Sequence, residues 1–117
     1  MTTADFAHLM RLVAENYPCT ESDYPSLHGM SPEDRAAFVL RHNALHFAKS
    51  AGAVATLSEK VDHGAPLNMS EVQPLVIKAL VNAIKLGEVA GMTAEQIVAQ
   101  TEAFFGIMAS SMKEVAA

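Results

Sequence analysis

The chain has 117 residues, half of them apolar and only 18% charged, with a formal net charge of −5. That length suits one domain around one core. The acidic balance and the lack of any basic run argue against binding a nucleic-acid polymer through its phosphate backbone. Ordinary soluble domains carry about a quarter of charged residues, so a chain this poor in charge is expected to hide surface against further copies of itself. Cys19 is the single cysteine and has no partner for an internal disulfide. It reads as a reduced thiol of a cytoplasmic protein.

The first ten residues, MTTADFAHLM, lack a basic n-region and a long apolar core, so no signal peptide is expected. Thr2 and Asp5 have capping-box spacing. Phe6, Leu9, Met10, Val13 and Tyr17 then recur with helical period, and Pro18 ends the run. Residues 18–31, PCTESDYPSLHGMS, form a loop long enough to cover a site. Ser31, Pro32, Glu33 and Asp34 make a helix start, with Ser at the N-cap, Pro at the first helical position and acids where the dipole favours them. This second helix is expected to reach Asp62, before Gly64 and Pro66. Its middle, AKSAGAVAT, is nearly all small residues. Ala48, Ala51, Gly52 and Ala55 should let another helix approach closely, offsetting the cost of about 1 kcal/mol that an interior Gly carries relative to Ala.

Ser70 with Gln73 predicts a capping box for the third helix, with Pro74 in its first turn, where a missing N–H does no harm. Val72, Leu75, Val76, Ala79, Leu80, Ala83, Leu86 and Val89 form one stripe, while Ile77, Val81 and Ile84 make the opposite side apolar too. A helix apolar all round is expected to be buried on all sides, centrally or at a subunit interface. After Gly87 and Gly91, Thr93 with Gln96 caps a fourth helix whose stripe is Ile97, Val98, Phe104, Phe105, Met108, Met112 and Val115. The short link predicts an antiparallel αα-hairpin. No apolar stretch runs unbroken for the length of a bilayer, so no membrane span is expected. The fold expected is a single all-α domain over residues 1–117, a four-helix antiparallel bundle-like arrangement completed by oligomerisation.

Three groups of polar residues carry chemistry. His42 and His46, at i and i+4, share a helix face and can offer two ligands to one transition metal; His8 is a conceivable third. Glu59 and Asp62, at i and i+3 on the last turn of the second helix, can share a hard cation such as Mg²⁺ despite their unfavourable place at the negative end of the dipole. Lys78, Asn82 and Lys85 form the only polar stripe on the third helix, and Lys49 is a lone charge among small residues; together they suit a phosphate-bearing ligand. The bland alternatives are a partly buried histidine pair, a solvated helix end and a solvent strip with lysine stems covering apolar surface. Along one helix His42 and Glu59 lie roughly 25 Å apart, so the first two groups are separate questions.

Two segments, LHFAKSAGAVATLSEKVDHG (45–64) and VIKALVNAIKLGEVAGMTAEQIVAQ (76–100), resemble the MazG-like all-α nucleotide pyrophosphohydrolases. The first resembles that family's long helix carrying an acidic motif; the second resembles its helix, glycine turn and helix. The resemblance covers about half of the chain. It implies a homodimer or homotetramer of helical hairpins, with Mg²⁺ held by an E-x-x-E pair and an E-x-x-D pair, and hydrolysis of a nucleoside triphosphate to monophosphate and pyrophosphate. This sequence departs from that pattern. Lys49 and Gly52 stand near the first pair, and Glu71, Val72, Gln73, Pro74 and Lys78 near the second, so only Glu59 and Asp62 remain as metal ligands. No catalytic residue is assigned. The function expected is a divergent MazG-like protein, with Glu59 and Asp62 on Mg²⁺ and Lys49, Lys78, Asn82 and Lys85 on the nucleotide. The alternatives are a non-catalytic homo-oligomeric binding or scaffold protein and a metal-binding protein built on His42 and His46.

Overall fold

The computed structural model describes the backbone of residues 2–116 and the side chains of residues 2–106. It is all-helical, with no strand among the described residues. The helices are α1 (Thr3–Asn16), α2 (Pro32–Asp62), α3 (Met69–Val89) and α4 (Ala94–Ala116), with a single 3-10 turn at Pro25–Leu27 in the long loop. No helix is long and apolar enough to cross a membrane among these residues. The expected α4 stripe positions Met108, Met112 and Val115 lie outside the described side chains.

Local chemistry sets the helix starts. The Thr2 hydroxyl accepts from the Asp5 N–H while the Asp5 carboxylate accepts from the Thr2 N–H, each at 3.1 Å. Thr93 and Gln96 make the same reciprocal pair at 3.1 and 2.9 Å. Ser31 caps α2 by accepting from Asp34 N–H at 3.1 Å, with Pro32 at the first helical position. The third helix departs from expectation. Its cap is Asn68, whose side-chain carbonyl accepts from the Ser70 N–H at 3.1 Å and from the Ser70 hydroxyl at 2.6 Å. The helix therefore begins at Met69, and Pro74 falls beyond the first turn, where its ring removes the donor that would have met the Ser70 carbonyl. Gly64 and Gly91 follow α2 and α3 with φ of 101° and 81°, left-handed values that most side chains resist.

Helix α3 is the hub. Its longest contact is with α2, and α1 packs against both α3 and α4. The α3–α4 hairpin is open rather than closed. The two helices are tight beside their turn, where a Cβ placed on Gly87 would lie 2.9 Å from Ile97 Cδ1. Beyond it they border a groove of about 380 Å³ lined by Ala83, Gly87, Met92, Ile97 and Phe104. Helix α1 touches both.

The core within one chain is thin. Val13, Leu27 and Ile84 are its buried apolar side chains among the described residues. Two expected coverings are missing within one chain among the described residues. Ala48, Ala51, Gly52 and Ala55 are exposed, and a Cβ on Gly52 would meet nothing within 4 Å among the described residues. Helix α3 is not buried on all sides: Val76, Ile77 and Leu80 are 50%, 59% and 48% exposed. Three neighbours of this length do not enclose it. The dimensions agree: the radius of gyration is 18.0 Å, against about 13 Å for a compact domain of this length. The accessible surface is 8475 Å², against about 6,200 Å² for a folded monomer of this mass.

Leu27, at 1% exposure, anchors the long loop. Leu27→Ala should lower unfolding stability by ~2–4 kcal/mol, the cost of a buried Leu truncation, read as a lower urea midpoint. An unchanged midpoint would mean that the loop contributes nothing to the folded core.

Candidate functional site

The α2–α3 seam is fastened by polar groups. Ser50 is buried and its hydroxyl donates to the His46 carbonyl one turn back, at 3.0 Å. From α3, Asn82 Nδ2 donates to Ser50 Oγ at 2.5 Å and reaches the His46 carbonyl at 3.4 Å. These bonds bring the polar stripe of α3 against α2. Ser50 was not singled out by sequence; its only signal was a hydroxyl in the middle of a run of small apolar residues.

Between the two helices and the start of the long loop lies a cleft of about 790 Å³. Lys49, Lys78, Asn82 and Lys85 all line it, with His46 and Ser50 on the α2 side. The four residues assigned to ligand binding from sequence are thus brought together. Asp23 is the one carboxylate in the lining. Lys85 is buried and pairs with Glu88, one turn on, at 3.1 Å. Lys49 and Lys78 are exposed and have no ion pair among the described residues. Loop and α2 are tied at the rim. Arg35 Nη2 donates to the Cys19 carbonyl at 3.1 Å, and Asn43, buried, donates to the Val39 carbonyl at 2.7 Å and towards Cys19 Sγ at 3.6 Å.

His42 and His46 stand beside this cleft, with His46 in its wall. Their Nε2 atoms are 3.1 Å apart. The His42 ring stacks on Phe38 at 5.6 Å and 7°, and meets Tyr24 edge-on at 4.6 Å. Protonation of His46 is held below the ordinary histidine range, first by burial, then by the charges of His42, Lys49 and Lys78. His8 does not join the pair. Among the described residues no group of three or more His, Cys, Asp or Glu converges as a metal site.

The acidic pair lies elsewhere. Glu59 lines a separate groove of about 400 Å³ with Thr56, Lys60 and His63, and its carboxylate is 3.8 Å from His63 Nε2. Asp62 is exposed and takes no part in that lining. Ten residues separate Glu59 from Lys49 on one straight helix, or about 15 Å. The predicted cation-binding and phosphate-binding residues are therefore not parts of one cleft within a chain. Among the described residues no further carboxylate joins Glu59 and Asp62, so the donor set described there does not fit a two-metal centre. The chain matches no known family model, and no curated protein or solved structure is significantly similar to it.

The lowered His46 value gives a pH dependence. Protonation is harder in the folded state than in the unfolded one, so the folded state binds fewer protons near and below the ordinary value of 6.5. Stability should then be full above that value and fall as the pH drops below it. His46→Gln should flatten this slope in chelator-containing buffer, read from urea midpoints between pH 7.5 and pH 5. An equal slope in both proteins would place the titration elsewhere.

Proposed function

We propose that the protein is a divergent MazG-like helical homo-oligomer that binds a phosphate-bearing nucleotide in the α2–α3 cleft without hydrolysing it. The observation that carries this reading is the convergence of Lys49, Lys78 and Lys85 with Asn82 on one cleft whose lining has a single carboxylate. Ammonium groups are point-charge donors to phosphate oxygens, and an amide can serve sugar or base. A cleft of about 790 Å³ has the size of small-molecule and cofactor sites. Binding is favoured over hydrolysis because Glu59 and Asp62 lie outside this cleft. Mg²⁺ enters this reading as the counter-ion of the nucleotide's own phosphates.

Self-association belongs to the same reading. The chain exposes about 2,300 Å² more than a folded monomer of its mass, an area within the range of obligate homo-oligomer interfaces. Exposed apolar side chains recur on α3 and α4. Val76 and Leu80 on α3 and Phe104 and Phe105 on α4 are each about half exposed or more, and Phe104 lines the groove between those helices. A second copy of this chain is the occupant that the surface excess favours.

Two measurements test this. Titration of ATP and dATP, with and without Mg²⁺, should give saturable binding that weakens about tenfold or more in Lys78→Ala combined with Lys49→Ala, with no pyrophosphate released. Release that disappears in Glu59→Gln would instead establish hydrolysis, and absence of any binding would remove the nucleotide reading. Light scattering on a sizing column should give a dimer or tetramer, and Leu80→Glu with Phe104→Glu should shift it to monomer. A wild-type monomer at all concentrations would refute the assembly.

A further inference from the structure

The histidine pair is not used by the nucleotide reading. We propose that His42 and His46 form a two-imidazole site for a borderline transition-metal dication of the Zn²⁺, Ni²⁺ or Cu²⁺ class, independent of whether the cleft takes a nucleotide. The geometry is the argument. At metal–nitrogen bonds of 2.0–2.1 Å, tetrahedral coordination sets two ligand nitrogens about 3.3 Å apart, and a right-angle pair about 2.9 Å apart. The two Nε2 atoms stand at 3.1 Å, between those values. Both reach the same point because residues four apart share a helix face.

The pair is also held before any metal arrives. His42 is fixed on one face by Phe38 and on its edge by Tyr24, which comes from the long loop rather than from α2. His46 meets His42 at 80°, so the rings converge at their Nε2 atoms without lying flat on each other. Side chains already ordered lose little entropy on binding. Imidazole donors select borderline metals over Mg²⁺ and Ca²⁺, which prefer oxygen. Two histidines leave coordination positions open to other donors, and His46 itself lies in the cleft wall. Lys49 and Lys78 bear on His46 with like charge and weaken the site for a bare dication; they favour the metal together with an anionic co-ligand on its open positions.

An N–H···N hydrogen bond between two neutral imidazoles would give the same separation, and the experiment separates the two. Full-length protein, stripped with chelator and dialysed, is titrated with Ni²⁺ and Zn²⁺ by calorimetry, and Cu²⁺ is examined by electron paramagnetic resonance. The expected result is one ion per chain, with affinity reduced at least about tenfold in either His42→Gln or His46→Gln, unchanged in His63→Gln, and nitrogen hyperfine structure from two imidazoles. Circular dichroism of each variant checks helicity, and His46→Gln, at an exposed position, stays informative if His42→Gln disturbs the aromatic stack. Binding that survives the double variant, or no saturable binding in wild type, overturns the site and leaves a hydrogen-bonded pair.

Discussion

The arrangement depends on one small set of hydrogen bonds, those joining Asn82 of α3 to Ser50 and the His46 carbonyl of α2. A buried hydroxyl and an amide among apolar side chains are costly unless they meet each other. That penalty makes the seam selective. Sliding α3 by one residue along α2 would part Asn82 from Ser50 and turn the lysine stripe away by about 100°. With the register set, Lys78 and Lys85, at −4 and +3 from Asn82, must border the same cleft, and Lys49 lies beside Ser50 on the facing helix. The cleft is a consequence of the seam, not a separate construction.

A cleft lined by three lysines is unusual in a chain of net charge −5. Among the described residues Lys85, buried against Glu88, is the one of these cations with an ion pair. Like charges held close raise the energy of the free protein, and an anion in the cleft relieves it. The same field reaches His46, whose protonation burial already opposes. One electrostatic environment therefore bears on two candidate chemistries: it favours phosphate between the helices, and it opposes both protonation of His46 and a bare dication beside it.

Much of this was legible in the sequence because it is local. Helix existence and the caps of α1, α2 and α4 follow from side chains reaching backbone N–H groups three residues away, as at Thr2, Ser31 and Thr93. Asn68 escaped because an Asx cap two residues from its donor competes with the Ser70 signal, and one short-range pattern does not rank them. The lysines and Asn82 were legible as a stripe; their meeting with Lys49 was not, since it depends on the seam. Glu59 and Asp62 had suitable spacing for a shared ion, but spacing along a helix does not supply ligands from another one. The apolar girth of α3 told only that it needs cover, not which chain supplies it. His42 and His46 were legible as a face, while the ring orientation needed Phe38 and Tyr24, residues from an adjacent turn and from a distant loop.

The exposed apolar surface bears on how such a chain can be stable at all. Ordering a chain costs about 1–2 kcal/mol per residue in backbone entropy alone, and burial must offset it. Here Val13, Leu27 and Ile84 are buried while Leu45, Ile77, Phe104 and Phe105 stay largely in water. Among the described residues, Val76, Ile77 and Leu80 of α3 stay exposed, and a Cβ on Gly52 in the small-residue stripe of α2 would meet nothing within 4 Å. Under the proposed assembly these features have one cause. A second copy packed on α3 and α4 supplies the missing cover, so folding and association become a single event. The seam at Ser50 and Asn82 is the part of that event made within one chain, fixing α2 on α3 as the hairpin that two copies would bring together.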